Sequence, residues 1–464
     1  MSHHVTFNDL PQGGEKFEPA KGGKLISGFG AAGLLGLAGS AYLFFTQTDV
    51  FAYSWLFAFF FAFTFVCGGC FWILLHSASN SGWGVAVRRL WEQLANMALP
   101  LAILGLPLLV PQVQTHLYEW MNHHREAKEL LISHEHGDHA KADSHAPAAA
   151  PAADSHAAEG EDHHEMHTVK DALHHMSLSH PHLHILVEKF GYLNIDAWYF
   201  RFAFYFFILW HIARTLRKKS VQQDSDGDIK HTIKSRTFSC RWLLFYALTV
   251  TFAAVDWLMT LDASWFSTMW GVYIFAGCAW ASMALTILLV TWLKGLGYLK
   301  QVVTEEHYHL MGKLLFAFTV FWAYIAFSQY FLIWYANITE ETRFYLTRNT
   351  EGWRWVSIFI VVGHFIGPFV LLLSQPRKKN PLAVCLICLW ILFMHLVDIY
   401  WNVIPERGPS LDAGVWVAGA WVGDIVALLA VVGTMGFVFL RSLSRQSLYP
   451  CRDPRLLESA NVLN

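Results

Sequence analysis

Ten continuous apolar runs, most of them about twenty residues long, dominate the chain, and polar segments separate them. Each run is long enough for a helix to cross the hydrocarbon core of a bilayer, which is about 30 Å thick. A membrane β-barrel is excluded because its strands alternate between apolar and polar residues. The predicted spans are 25–45, 51–76, 94–116, 196–217, 238–259, 269–293, 311–335, 353–374, 382–402 and 415–440.

Composition supports this interpretation, since 55% of the 464 residues are hydrophobic and only 15% are charged. We therefore predict an all-α integral membrane protein with ten transmembrane helices. The expected organisation is an N-terminal segment 1–24, helices one to three in 25–116, a long outer loop at 117–195, helices four to ten in 196–440 and a tail at 441–464. No cleavable signal peptide is expected before the first run.

Lys and Arg concentrate in alternate connections, and this asymmetry predicts the orientation. The basic connections follow the second, fourth, sixth and eighth runs, and the basic ends precede the first run and follow the tenth. The short connections at 46–50, 260–268 and 403–414 carry one basic residue between them, Arg407. Both termini are therefore predicted to be cytoplasmic.

The long outer loop contains 15 of the 25 His residues, between positions 123 and 184. Its centre is rich in Ala, Pro, His and acidic residues, so it has little apolar surface to bury and is expected to be largely disordered. Apolar residues return between His174 and Leu193 and predict a short amphipathic helix at the membrane surface. Weak metal binding or partner docking suits the loop better than catalysis does.

Four ionisable residues lie inside the last three apolar runs: His364, His395, Asp398 and Asp424. A charged side chain at the bilayer centre costs about 2.5–3.5 kcal/mol on insertion scales, so each needs a partner or a function. Residues 395 and 398 share one helix face. Counting from the ends of the runs places His364 near the midplane and the other three in the outer half.

Three stretches near span ends combine aromatic, acidic and amide residues: DWLMTLDASWFSTMWG from Asp256, FSQYFLIWYANITEE from Phe327 and HLVDIYWNVIP from His395. An aromatic belt explains the Trp and Tyr residues but not the acids. From about Asp196 to the end of the last run, the chain resembles the F subunit of alternative complex III, a bacterial quinol:cytochrome c oxidoreductase. Its departure from that family is the long outer loop.

The resemblance implies a polysulfide-reductase-type (NrfD-type) membrane subunit with two four-helix bundles and two flanking helices in the bacterial inner membrane. The implied partners are a sister membrane subunit, an iron–sulfur subunit, c-type cytochrome subunits, lipid and quinol, with no nucleic acid. Haems and iron–sulfur clusters are expected in those other subunits and no cofactor in this chain. Quinol oxidation is implied mainly for the sister subunit, and proton conduction for this one.

Ionisable and hydrogen-bonding residues along the spans independently suggest a proton route, because His titrates near neutral pH and hydroxyl and amide groups support water chains. The structural alternative is that these residues pair across helices, with Arg201 as one possible counter-ion. The proton-path candidates are His76, His211, Asp256, His307, His309, Lys313, Tyr324, Ser328, Gln329, His364, His395, Asp398 and Asp424.

Several other functions remain open at this point. A quinone pocket in this chain could use the aromatic residues Tyr330, Trp334 and Trp401 as walls. A haem could bind between His76 and His211, which end their spans at a similar inner level. Prolines in the third and eighth runs could break helices, as in a stand-alone secondary transporter, although no inverted pair of interrupted segments is visible.

The cysteines predict no metal centre. Two C-x-x-C pairs, Cys67 with Cys70 and Cys385 with Cys388, lie on apolar helices, where they are expected to act as small packing residues. No catalytic residue and no metal site are predicted from the sequence.

Overall fold

The computed structural model describes residues 4–142, 167–180, 183–408 and 419–463. The regular secondary structure of this part of the chain is helical, apart from one isolated bridge between Lys16 and Ser447. Eight helices are long and apolar enough to cross a membrane. They are α1 Gly23–Thr46, α2 Thr48–Ala78, α3 Lys230–Leu261, α4 Trp270–Gly295, α5 Glu305–Ala336, α6 Gly352–Leu373, α7 Pro381–Arg407 and α8 Ala420–Leu443. The protein is therefore an all-helical multi-pass membrane protein.

These eight helices correspond to eight of the ten predicted spans. The third predicted span, 94–116, is not one helix but a series of short pieces: Ala98–Leu104, a 3₁₀ turn at Leu106–Leu109 and Pro111–Leu117. Proline explains the breaks, since Pro107 and Pro111 lack a backbone N–H and disfavour helical geometry in the residue before them. The fourth predicted span corresponds to the helix Ile195–Asp226, which is long enough to cross a membrane but less apolar than the eight helices named above.

Two compact units make up the chain. The larger one comprises residues 1–117 and 202–464 and contains all eight helices, and the smaller one comprises residues 118–201. In the smaller unit the helices Glu119–Ala142, Val169–Ser179 and His184–Lys189 surround a small apolar core of Ala127, Ala172, Leu173 and Val187. The predicted disordered centre of the outer loop, residues 143–166, lies outside the described residues.

Helix α2 occupies the middle of the larger unit: 83% of its most apolar stretch is buried, compared with 17% for α1. It packs against α3, α4 and α8 and also touches α7. Its buried positions run all around the helix, as expected for a helix without a polar face. The second predicted run therefore forms the core of the molecule rather than its lipid-facing surface.

Helices α1 and α8 pack backbone against backbone at small residues. A Cβ atom added to Gly433 would lie 2.4 Å from the Gly33 nitrogen, and one added to Gly36 would lie 2.1 Å from the Ala430 nitrogen. Any larger side chain at these positions would force the helices apart. Such close packing is typical of membrane helices, which gain little from burying apolar side chains already in lipid.

Candidate functional site

Three of the ionisable residues predicted from the sequence meet inside the larger unit. One ligand atom from each of His364, His395 and Asp398 lies within 4.8 Å of the other two, and all three residues are buried. This group, here called the α6–α7 triad, combines one residue of α6 with two of α7. His395 and Asp398 share one face of α7, as predicted, and His364 of α6 lies next to them.

The sequence placed His364 and His395 at different depths, and the structure brings them together. Helices α6 and α7 are consecutive and antiparallel in the predicted topology, and every Cα–Cβ bond in a helix tilts toward its N-terminus. The two imidazoles therefore lean toward each other from opposite directions. A count of residues from the span ends misses this effect, because it places backbone atoms rather than side-chain atoms.

His395 has a defined hydrogen bond to α2. Its Nε2 atom lies 2.9 Å from the Thr64 hydroxyl, which itself donates to the Phe61 carbonyl at 2.7 Å. Because the hydroxyl hydrogen is directed at Phe61, we assign the hydrogen between the ring and Thr64 to Nε2. The lone pair then lies on Nδ1, which has no hydrogen-bond partner among the described residues.

His364 lies between two indole rings. Its ring centroid is 4.0 Å from that of Trp280 and 3.7 Å from that of Trp322, with nearly parallel planes. Neither of its ring nitrogens has a hydrogen-bond partner among the described residues. The residue lies in a π-helical turn, Val361–Ile366, just before Pro368. Such turns often occur at functional positions.

Asp398 is fixed by two neighbours that sequence reasoning missed. The Tyr273 hydroxyl donates to Asp398 Oδ1, and the Asn402 amide donates to the Tyr273 hydroxyl at 3.2 Å and to the Asp398 carbonyl at 2.7 Å. Asn402 could have been found, because it lies four residues after Asp398 on one helix face. Tyr273 carries no comparable signal, since it comes from α4.

A cavity of about 800 Å³ lies beside the triad. All three aromatic residues predicted for a quinone pocket, Tyr330, Trp334 and Trp401, line it. Tyr273 and Trp322 line it as well, and these are the residues that contact Asp398 and His364. Because Tyr330 and Trp334 are 47% and 62% exposed, the cavity is reached from the molecular surface.

Arg348 is a further residue that the sequence did not single out. It lies in the connection between the seventh and eighth predicted spans, where two Arg residues are offset by three Glu residues. Its side chain is 1% exposed and donates to the carbonyls of Phe344, Trp401 and Asn402 and to Glu406 at 2.9–3.0 Å. Burial lowers its pKa. It nevertheless remains a cationic group of the cavity wall, as does Arg354, since a guanidinium ordinarily titrates above pH 12.

Neutral hydrogen-bonding groups line the cavity next to Arg348. Gln329 accepts from Ser267 at 2.9 Å and donates to the Tyr345 hydroxyl at 3.1 Å. Burial raises the pKa of Tyr345 to about 12, so its phenol stays protonated near neutral pH. Ser328 is half-buried, and Tyr324 is 64% exposed and does not line the cavity.

The other two intramembrane aspartates have partners of their own. Asp424 accepts from both terminal nitrogens of Arg407, at 2.9 and 3.1 Å, and from the hydroxyls of Ser54 and Tyr400. Asp256 accepts from the Tyr205 hydroxyl at 2.6 Å. The basic partner of Asp424 therefore comes from the preceding connection, 403–414, and not from the start of the fourth predicted span, where Arg201 was suggested.

The predicted inner residues are dispersed over several environments. His307 caps the start of α5 by accepting a hydrogen bond from the Thr304 backbone N–H, and it contacts Ser459. His211 lies against Trp242 with 4.5 Å between ring centroids and the rings tilted by 41°. His76 and His309 are both buried with an unpartnered Nδ1, whereas the Lys313 side chain is exposed. The described contacts do not join these five residues into one hydrogen-bonded chain.

All seven cysteines are free thiols. Cys67, Cys70 and Cys388 are buried, and Cys385 is partly buried. Comparison with known proteins adds no assignment: no protein-family model matches the chain, and no curated protein matches it.

Proposed function

We propose that this chain is a membrane subunit of a quinol-oxidising respiratory complex of the alternative complex III type, and that its aromatic cavity binds a quinone ring. One observation carries the proposal: the cavity wall includes Tyr273, whose hydroxyl donates a hydrogen bond to the buried carboxylate of Asp398. An apolar, aromatic cavity with a few convergent polar groups is the usual form of a small-molecule site.

The proposed chemistry of the chain is proton acceptance. Oxidation of a quinol releases two protons and two electrons, and the electrons would pass to redox centres in the expected iron–sulfur and cytochrome partners. A quinol hydroxyl beside Tyr273 could transfer its proton to the phenol oxygen as Tyr273 passes its own proton to Asp398. The unpartnered Nδ1 of His395 is the next acceptor within reach.

A quinone ring has two oxygens, and Tyr273 contacts one of them in the proposed site. Arg348 and Tyr345 are the proposed contacts of the other oxygen. Most of the cavity wall is aromatic or aliphatic, and its polar side also includes Gln329, Asn349 and Arg354. We place a carbonyl oxygen of the ring on this side, next to Arg348 and Tyr345. The exposed aromatic residues at the entrance would contact the isoprenoid tail. In this arrangement one oxygen of the ring faces Tyr273 and the other faces the Arg348 side of the cavity.

The proposed topology has ten crossings and two cytoplasmic termini. The Ile195–Asp226 helix has 32 residues, so at about 1.5 Å per residue it is long enough to span a bilayer. The broken segment 94–116 would supply the remaining crossing, because irregular backbone is tolerated at membrane depth when protein covers it. The arrangement into two four-helix bundles with two flanking helices is part of the same proposal.

Binding of a quinone analogue to the purified protein in nanodiscs tests the cavity assignment. We expect Tyr330→Leu to weaken binding about tenfold, because it removes an aromatic wall worth roughly 1–2 kcal/mol. Tyr324→Leu is the matched control, since it removes an exposed tyrosine of the same helix that does not line the cavity. Equal affinities of the two variants would contradict the proposed site.

The respiratory role is tested by purification from the native membrane. The chain should co-purify with proteins that contain haem and iron–sulfur clusters and catalyse quinol oxidation. A chain that purifies alone and moves a solute across a vesicle membrane would instead support a secondary transporter.

A further inference from the structure

We propose that the α6–α7 triad, His364, His395 and Asp398, is a binding site for a divalent transition-metal ion of the Zn²⁺ type. The three side chains offer two nitrogens and one oxygen within 4.8 Å of one another. Two His and one carboxylate are a common ligand set for zinc and for iron(II). No short motif marks this ligand set, because the first two ligands lie 31 positions apart on different helices.

Unpartnered nitrogens are the first argument. Nδ1 and Nε2 of His364 and Nδ1 of His395 are buried, and none has a hydrogen-bond partner among the described residues. Buried polar atoms normally have partners, so this cluster of unpartnered nitrogens favours a ligand that binds between the two rings. A metal ion would take one lone pair from each ring and so account for two of the three nitrogens.

The hydrogen bonds around the triad are the second argument. Metal-binding histidines usually donate their other ring N–H to a nearby acceptor, which fixes the tautomer. The Nε2–H assigned to His395 is directed at Thr64, which leaves the lone pair of Nδ1 for a metal ion. Tyr273 and Asn402 both donate to Oδ1 of Asp398 and hold the carboxylate in place.

Space and access are the third argument. Gly277 lies against the free edge of His395, where an added Cβ would be 3.1 Å from Cε1 and 3.5 Å from Nδ1. Tetrahedral zinc with bonds of about 2.0–2.1 Å holds its ligand atoms roughly 3.3 Å apart, so small side-chain rotations would close the site. An ion can approach from the cavity, whose wall includes Tyr273 and Trp322.

The test uses Co²⁺ as a spectroscopic probe of the full-length protein, stripped with a chelator and studied without quinol. Total zinc content would be uninformative, because the outer loop alone carries 15 His residues. A buried site with few ligands gives Co²⁺ intense visible bands, whereas hydrated ions on an exposed loop give weak ones. We expect an intense band that saturates at about one Co²⁺ per chain and disappears on addition of Zn²⁺.

Variants identify the ligands. His364→Gln, His395→Gln and Asp398→Asn should each abolish the intense band. The control His309→Gln removes a buried imidazole that also has an unpartnered Nδ1 but lies outside the triad, and it should keep the band. Thr64→Val should keep the band and weaken metal binding about 10–100-fold, as expected for an outer hydrogen-bonding partner.

Absence of the intense band from the wild-type protein would overturn the proposal, even if a variant fails to fold. A band that persists in all three ligand variants would also overturn it. Because the measurement involves no quinol, either result leaves the proposed quinone site untouched. If both proposals hold, bound Zn²⁺ should inhibit quinol oxidation by occupying Asp398.

Discussion

Neutralising Asp424 while leaving Arg407 in place separates a structural ion pair from a proton-path residue. Asp424→Asn keeps the shape of the side chain, but it removes the negative charge and one of the two oxygens that accept from Ser54 and Tyr400. The two side chains are only 6% and 5% exposed, and they form a two-point contact. The variant therefore removes the carboxylate that contacts this buried guanidinium at two points.

The expected cost follows from this geometry. Removing one partner of a buried ion pair costs about 3–5 kcal/mol, most of which reflects the uncompensated charge that remains. Replacing both partners with apolar residues of similar size is often neutral or stabilising. We therefore expect Asp424→Asn and Arg407→Met each to lower the free energy of unfolding by about 3–5 kcal/mol. The double variant Arg407→Met/Asp424→Leu should recover most of that loss.

The assay is reversible unfolding in mixed micelles of mild detergent and SDS, followed by tryptophan fluorescence. Glu18→Gln is the control, since Glu18 pairs with Lys21 at 3.4 Å, and the two side chains are 63% and 47% exposed. An exposed pair of this kind is worth about 0–1 kcal/mol. If Asp424→Asn costs no more than this control and the double variant shows no recovery, Asp424 is not the structural anchor that its contacts indicate.

Three further predictions concern other parts of the chain. Asp398→Asn and Tyr273→Phe should leave the assembled complex intact but lower quinol oxidation or proton release in vesicles, because each alters the hydrogen bond between Tyr273 in the cavity wall and Asp398. Unchanged turnover and an unchanged proton-to-electron ratio would exclude proton transfer from Tyr273 to Asp398. Replacing residues 143–166 by a Gly/Ser linker should leave expression and assembly unchanged, since this segment is rich in Ala, Pro, His and acidic residues and the described core of the smaller unit is built from residues on either side of it. Loss of the complex would contradict this. Thr168→Ala should cost about 0.5–2 kcal/mol of local helix stability, measured by hydrogen exchange, because Thr168 forms a capping box with Asp171. The hydrogen bond from Thr168 lowers the pKa of Asp171, so the charged carboxylate stabilises the helix start above the ordinary Asp pKa. After correction for intrinsic exchange rates, the backbone amides of this helix in the wild-type protein should be fully protected above about pH 4 and less protected as the pH drops further. Protection that stays constant over this range would contradict the prediction.

The candidate site shows how far sequence reasoning extends. The pairing of His395 with Asp398 on one face follows from helix periodicity alone, and the cost of burying such residues marks them as needing a partner. The sequence also selected Tyr330, Trp334 and Trp401 as aromatic walls, and the three line one cavity. It missed Tyr273, Thr64 and Arg348, because each acts through a contact between distant parts of the chain.

The sequence by itself determined that this is a helical membrane protein, since apolar run length and backbone hydrogen bonding in lipid leave few alternatives. Among the prolines that could break the third run, Pro107 lies at a break, whereas Pro100 lies inside the helix Ala98–Leu104. The tertiary structure alone decided which buried charge is neutralised by Arg407 and which face of each helix is hidden. It also decided that His364 joins His395 and Asp398. These outcomes depend on helix packing and side-chain direction between segments, and no local pattern encodes them.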